Sequence, residues 1–397
     1  MVIAGEASGD WLAAELVKAI REEMVRTPAL VTTDNQPLHS SLAPRFFGAG
    51  GPRMSAAGVD LLFDLTKHSV IGVSDVLKKY FEFRRLLKRL YRLALERQPD
   101  AIICVDFSGF NRRFAHAIQK HVRARSGWFH YWRPKLIQYV SPQVWASREN
   151  RALQIARDYD LVLSLFPFEK AWYARKVPGL RVEFVGDPMV DRYGPVPVRE
   201  RRNVTEAPVV ILLPGSRTSE LRRHLEVMIG AIGLMKEKIP GLRALMVLPN
   251  QDLIAQAKTL NLPAYLEPQC GGLAEALKKS DVAIASTGTV TRECAYFGVP
   301  TVAIYKTSWM TFEIGKRLVK VKYLAMPNLL TDEAVFPEFI QNEATAENIA
   351  SAAMDLLQDK TLRAAVIEKL GEVARSLGGP GASQRAAHQI LELVQGQ

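Results

Sequence analysis

The chain has 397 residues, 48% of them hydrophobic, and 52 Lys and Arg stand against 41 Asp and Glu for a formal net charge of +11. That length holds two domains of ordinary size, each with its own core. No apolar run reaches the roughly 18 to 20 residues needed to cross a bilayer, and no charged segment followed by an apolar one opens the chain. A cytoplasmic protein is expected. The positive balance asks for an anionic partner without naming it. No nucleic-acid recognition module accompanies the charge, so nucleic acid is not expected.

The first element is a short strand, Val2-Ile3-Ala4, which runs through Gly5-Glu6-Ala7-Ser8-Gly9-Asp10 into an amphipathic helix from Trp11 to about Arg26. A polar, Pro-containing loop extends to about Pro44, and 45–54 reads as a strand with a glycine turn. Residues 78–92 are helical in period, with apolar and basic residues interleaved. That composition suits an anionic membrane surface and equally a core-packing helix with a solvated basic face. Residues 101–105 form an apolar run that ends on Asp106. Strands at 136–140, 161–165 and 182–185 alternate with helical stretches, as a parallel sheet requires.

Gly194-Pro195-Val196-Pro197 is the best linker candidate. Beyond it the alternation restarts at Val209, where Val209-Val210-Ile211-Leu212-Leu213 leads into Pro214-Gly215-Ser216-Arg217, and continues at 245–248, 282–285 and 301–305. A second basic and apolar stretch covers 312–323, and from about Thr345 helices broken at 377–381 close the chain. The pattern predicts an α/β fold of two Rossmann-like, doubly wound domains, 1–190 and 191–350, facing across a cleft. Helices in 351–397 are expected to pack back on the first domain or on a partner, and a homodimer is one arrangement they allow.

Three strand-to-helix turns carry candidate chemistry, because backbone N–H groups and the positive end of a helix dipole bind anions there. In Ser286-Thr287-Gly288-Thr289-Val290-Thr291-Arg292-Glu293 small residues let a ligand approach the backbone, and a carboxylate one turn in can accept bonds from two sugar hydroxyls. A nucleotide sugar needs such a site, although a capped helix with a salt-bridged Glu has the same sequence. Arg217 adds a guanidinium suited to a diphosphate, with pairing to Glu220 as the plain alternative. Asp106 stands where a doubly wound strand delivers side chains into its crevice. It could take a proton from an attacking hydroxyl, or simply cap the turn marked by Ser108, Gly109 and Asn111.

Cys104, Cys270 and Cys294 lack metal-ligand spacing and are expected buried and reduced. His116 and His121 are five apart and do not share a helical face, so no metal is expected. The nucleophile elbow and the G-x-G-x-x-G fingerprint are absent, and no redox cofactor is expected.

With these residues the chain resembles the lipid-A-disaccharide synthases, inverting glycosyltransferases of the GT-B architecture. The resemblance runs over nearly the whole length. It is carried by 4–10, Gly51-Pro52-Arg53-Met54, Tyr139-Val140-Ser141-Pro142 with Val144-Trp145-Ala146, Phe166-Pro167-Phe168-Glu169-Lys170 and 213–217. It continues in Gly288-Thr289 with Glu293, Thr311-Phe312, 316–320 and Pro327-Asn328-Leu329-Leu330.

The resemblance implies transfer of 2,3-diacylglucosamine from its UDP derivative to the 6-hydroxyl of 2,3-diacylglucosamine 1-phosphate. The product is the β-1,6 disaccharide of lipid A, and the UDP-sugar is a substrate, so no cofactor is implied. Asp106 matches the family's candidate base. Ser216, Arg217, Gly288, Thr289, Glu293 and Asn328 match positions expected to hold UDP or its sugar, with Glu6 and Ser8 lining the cleft from the other domain. Acylated substrates imply a peripheral enzyme on the inner face of the cytoplasmic membrane, in contact with anionic lipid. Gly109 stands where the family usually has a second Asp, Asp187 where a His is common, Arg292 where an apolar residue is usual and Ser147 where an aromatic is usual. These departures keep open a related GT-B glycosyltransferase or epimerase with another acceptor, and a non-catalytic lipid-binding paralogue.

Overall fold

The computed structural model describes residues 1–26, 44–68, 76–125, 131–195 and 207–396. Most of the polar loop expected up to Pro44, and positions 196–197 of the linker candidate, lie outside the described residues.

The chain divides into two compact units, 1–191 with 378–397, and 192–377. In the first unit seven parallel strands, β1 (Val2–Ala4), β2 (Phe47–Gly50), β3 (Asp60–Asp64), β4 (Ala101–Val105), β5 (Lys135–Tyr139), β6 (Leu161–Ser164) and β7 (Arg181–Phe184), form one sheet in the order β3-β2-β1-β4-β5-β6-β7. The central strands are apolar and buried on both faces, as strands covered by helices on either side must be. The helices are α1 (Ala7–Arg26), α2 (Pro52–Ala56), α3 (Val76–Arg97), α4 (Ser108–Ala124), α5 (Val144–Ser147), α6 (Arg151–Asp158) and α7 (Pro167–Lys176), and α8 (Pro188–Tyr193) carries the chain from the first unit into the second. One core layer gathers Leu86, Leu90, Phe114, Ile118 and Ile155 from α3, α4 and α6. The other gathers Leu16, Val17 and Ile20 of α1.

The basic helix is thus a core-packing one over its C-terminal part. Leu86, Leu90, Leu93 and Ala94 lie on its buried stripe, while Arg84, Arg85, Lys88, Arg89 and Arg92 face solvent.

The second unit repeats the plan with β8 (Val209–Leu213), β9 (Arg243–Leu248), β10 (Pro268–Cys270), β11 (Val282–Ser286), β12 (Thr301–Tyr305) and β13 (Glu338–Ile340), all parallel, in the order β10-β9-β8-β11-β12-β13. Its helices are α9 (Thr218–Lys238), α10 (Gln251–Lys258), α11 (Leu273–Lys279), α12 (Thr289–Tyr296), α13 (Trp309–Leu318), α14 (Met326–Thr331), α15 (Ala346–Gln358) and α16 (Lys360–Ser376).

The expectation that the helices in 351–397 pack back on the first domain or on a partner holds for the last of them alone. α15 packs on α9, and α16 packs on α12 and α14, because their buried faces, Ile349, Ala353 and Leu356 in one and Val366, Leu370 and Val373 in the other, complete the core of the second unit. Only the last helix, α17 (Ala382–Gln395), returns to the first unit, where Ala386, Ala387 and Ile390 join α1. Cys104 and Cys294 are buried as expected, but Cys270 is exposed, because it ends the short edge strand β10.

Candidate active site

In each sheet the strand order reverses direction once, between β1 and β4 in the first unit and between β8 and β11 in the second. Ligands of doubly wound sheets bind outside the carboxyl ends of the strands at that reversal. Ala4 pairs with Val105 and Leu213 with Ala285, so the turns leave each pair of strands side by side. Glu6 and Ser8 are therefore brought beside Asp106 in one unit, and Ser216 and Arg217 beside Gly288 and Thr289 in the other.

At the first reversal the backbone is unusual. Asp106 and Phe107 have φ of 47° and 42°, and Val140 in the neighbouring turn has 68°. Non-glycine residues in this left-handed region cost on the order of 1 kcal/mol or more each and persist only where their surroundings hold them. The hold is visible. Asp106 N–H donates to Tyr139 O at 2.8 Å. The buried Asn111 amide donates to Asp106 O at 2.8 Å and Val105 O at 3.2 Å, and Gln138 donates to Val140 O at 3.1 Å. The Phe107 ring closes over Gly5, where a Cβ would lie 2.1 Å from Cδ1, so the glycine admits the ring. Asp106 is half-buried, and Glu6 and Ser8, the latter in the first turn of α1, are exposed.

The exit of the neighbouring strand β5 is fixed by a buried carboxyl. Glu169 Oε1 accepts from Trp145 Nε1 at 3.0 Å and Oε2 from Phe166 N–H at 3.3 Å, while Tyr173 donates to Pro142 O at 3.4 Å. Burial pushes the Glu169 carboxyl up to about 7, against the lowering effect of its Trp145 and Ser141 partners.

In the second unit the turn after β8 is built on Gly215 at φ 120°. Glu220 folds back into it, accepting from Ser216 N–H at 3.1 Å and from Arg217 Nη1 at 2.8 Å. The plain alternative considered for Arg217 is thus a real pair, and it is exposed: the Arg217 side chain is 73% accessible. Behind the turn, buried His224 has Nδ1 2.7 Å from Pro214 O and Nε2 3.0 Å from Lys306 N–H. A carbonyl on one side and an N–H on the other make Nδ1 the donor and Nε2 the acceptor, a neutral ring. Burial lowers its tendency to protonate.

Gly288, at φ 135°, opens α12, and its carbonyl accepts from Thr291 Oγ1 at 2.7 Å. One turn on, half-buried Glu293 accepts from Tyr193 Oη at 2.6 Å. Asn328, expected to hold UDP or its sugar, has its polar atoms engaged within the protein. It is fully buried, its amide donates to Phe336 O and Glu338 Oε1 at 2.8 Å each, and its Oδ1 accepts from Phe336 N–H at 2.7 Å. Its polar atoms fasten the segment between α14 and β13.

Sequence reasoning gave no role to Asp10, Glu169 or His224. Asp10 accepts from the N–H groups of Gly51, Arg53 and Met54 at 2.7 to 3.0 Å and so anchors the start of α2. An acid in a glycine-rich turn far from any basic partner in sequence is the one signal that could have marked it. Among the described residues no group of three or more His, Cys, Asp or Glu is placed to hold a metal.

The family profile described as lipid-A-disaccharide synthetase matches residues 1–393. The chain belongs to this family. Two proteins named lipid-A-disaccharide synthase, from Trichlorobacter lovleyi and Myxococcus xanthus, are each 35% identical to it. The first match covers 100% of this chain and 97% of the relative, the second 99% and 97%. Among solved structures, the S. aureus MnaA-UDP co-structure superposes with a TM-score of 0.61 at 13% identity, covering 100% of this chain and 96% of that one, which shows the shared fold. Membership in the lipid-A-disaccharide synthase family fits the two reversal points. The family motifs at 4–10 and 213–217 are the turns that leave β1 and β8, and Gly51-Pro52-Arg53-Met54 is the helix start that Asp10 anchors.

Proposed function

We propose that this glycosyltransferase moves 2,3-diacylglucosamine from UDP-2,3-diacylglucosamine to 2,3-diacylglucosamine 1-phosphate, forming the β-1,6 disaccharide of lipid A. The observation that carries the assignment of chemistry is Asp106, held in a left-handed turn at the reversal of its sheet. Its carboxylate accepts the proton of the acceptor 6-hydroxyl as that oxygen attacks the anomeric carbon. The bond from that carbon to the diphosphate breaks, and the electron pair leaves with UDP. Arg217 and the N-termini of α9 and α12 receive the negative charge on the departing diphosphate, and Glu293 accepts hydroxyl protons of the nucleotide sugar. Because a guanidinium and two helix ends supply this positive charge, catalysis is assigned no metal.

Contact with a membrane is part of the same reading. Trp309, Met310, Leu318 and Val319 are exposed at 75%, 68%, 38% and 39%, beside Lys316, Arg317 and Lys320. Apolar side chains rimmed by cations suit an anionic bilayer surface from which acylated substrates are drawn. Among the described residues no helix is long and apolar enough to cross a membrane.

The test is incubation with both lipid substrates in neutral detergent, with and without a chelator, and mass spectrometry of the product. Disaccharide formed equally with chelator supports the reading. Asp106→Asn is expected to lower turnover by about 10²- to 10⁴-fold with UDP affinity unchanged. Full activity in that variant removes Asp106 from its role.

A further inference from the structure

Four guanidiniums converge just beyond Asp106. Arg112 and Arg113 lie in the first turns of α4, the helix that starts two residues after Asp106. Arg148 ends α5, and Arg151 begins α6, whose N–H donates to Arg148 O at 2.9 Å. These elements follow β4 and β5, which are neighbours in the sheet, with Val105 opposite Tyr139. Arg112 reaches across to Gln154 of α6, and Arg113 donates to Gly109 O at 3.2 Å. Burial and the nearby charges of Arg112, Arg148 and Arg113 hold Arg151 below the usual arginine value, so Arg151 lies within reach of the other three charges.

The neighbouring acids are engaged elsewhere among the described residues. Glu149 pairs with Lys176 at 2.8 Å, and buried Asp158 pairs with His116 at 3.0 Å and Arg157 at 3.3 Å. Among the described residues none of the four arginines has an ion pair. Packing like charges together without a counter-charge opposes folding, and an incoming anion relieves that opposition. Arginine forks suit phosphate oxygens bidentately and stay charged at any physiological pH.

We propose that Arg112, Arg148 and Arg151, assisted by Arg113, bind the anomeric phosphate of the acceptor, a phosphomonoester on an acylated sugar. This rests on the glycosyl-transfer reading above. Arg112 stands four residues into α4, about 6 Å along the helix from its start at 1.5 Å per residue. In the acceptor the hydroxyl to be deprotonated hangs from C5 through C6 and the phosphate from C1, the two carbons that flank the ring oxygen, so the two groups stand a short way apart. A proton acceptor at the carboxyl end of β4 with cations a short way beyond it matches that layout. The cluster thereby sets acceptor register: with the phosphate clamped, the 6-hydroxyl faces Asp106.

The experiment measures binding, in neutral detergent micelles, of diacylglucosamine 1-phosphate and of the same sugar lacking the phosphate, to the wild type, Arg112→Gln and the double variant Arg148→Gln/Arg151→Gln. The wild type is expected to prefer the phosphorylated sugar, and the double variant to lose about tenfold to a hundredfold in affinity for it alone. In turnover the same variants raise the acceptor KM and leave the donor KM unchanged. Relief of repulsion predicts that the double variant melts no lower than the wild type, so lost binding cannot be ascribed to unfolding. Equal binding of both sugars by the wild type, unchanged binding by the variants, or equal losses for both sugars overturns the proposal. So does a loss confined to vesicles of anionic phospholipid, which would make the cluster a headgroup surface. If the wild type binds the phosphorylated sugar but forms no disaccharide, the glycosyl-transfer reading fails while the phosphate site stands.

Discussion

The turn after β1 and the turn after β8 begin alike, each a buried apolar strand that runs through a glycine into a long helix with an acid in its first turn, but the two acids face different partners. In the first, Asp10 points inward, 2% exposed, and ties three backbone N–H groups of a different turn. In the second, Glu220 folds back over its own turn and meets Ser216 N–H and an exposed guanidinium. The first carboxylate is a structural counter-charge at a helix N-terminus; the second occupies donors that an anionic ligand would use. Backbone strain divides the same way. The first unit puts left-handed φ on Asp106, Phe107 and Val140, where side-chain bonds must hold it, whereas the turns of the second use Gly215 and Gly288, where it costs little. One reversal point is clamped and the other is yielding.

The sharpest way to break this contrast is Asp10→Ala. Three buried donors lose their acceptor, and stability is expected to fall by about 3 kcal/mol or more, read as a lower urea midpoint; an unchanged midpoint would mean that α2 holds its place without Asp10.

The two units are also expected to answer pH with opposite sign. Glu169 in the first unit has a folded value near 7 against 4.5 for the unperturbed group. The folded state therefore binds the extra proton, and its stabilising effect is lost as pH rises from 4.5 through 7, on the order of 3 kcal/mol across that window. His224 in the second unit is depressed from 6.5, so the unfolded chain binds the extra proton and stability is lost as pH falls below 6.5. Hydrogen exchange followed by mass spectrometry across pH 4.5 to 7.5 separates the units. Glu169→Gln should flatten the profile of the first alone, and a flattening of the second instead would refute the assignment.

The smallest effect is expected from Glu220→Gln. Removing a carboxylate that competes for Ser216 and Arg217 should tighten UDP binding about two- to fivefold, an exposed pair being worth little. Weaker UDP binding would mean that Glu220 positions Arg217 and does not compete with the ligand.

Much of this arrangement was legible from the chain because buried parallel strands announce themselves as apolar runs. β1, β4, β8, β11 and β12 fall where such runs do, and the turns singled out at Asp106, Arg217 and Gly288 proved to be those at the two reversals. β3, β10 and β13 did not stand out, since all three are only partly covered and the last two have three residues each, with mixed sequences such as Pro268-Gln269-Cys270. The bonds of buried Asn328 to the backbone of a neighbouring segment were not legible either, because polarity in a motif reads as ligand contact. The inward turn of Asp10 depends on partners some forty residues away, which local pattern does not contain.

The return of α17 to the first unit has a consequence for how the protein is made. Domains emerging from the ribosome generally fold in the order of synthesis, but here the unit that starts the chain also needs its last residues, 378–397. Until these appear, the apolar face of α1 that meets Ala386, Ala387 and Ile390 is uncovered. The second unit, contiguous in sequence, has all its parts before then. The domain begun first is completed last, and a nascent chain stalled short of α17 would display a finished second half beside an open first one, a natural substrate for a chaperone.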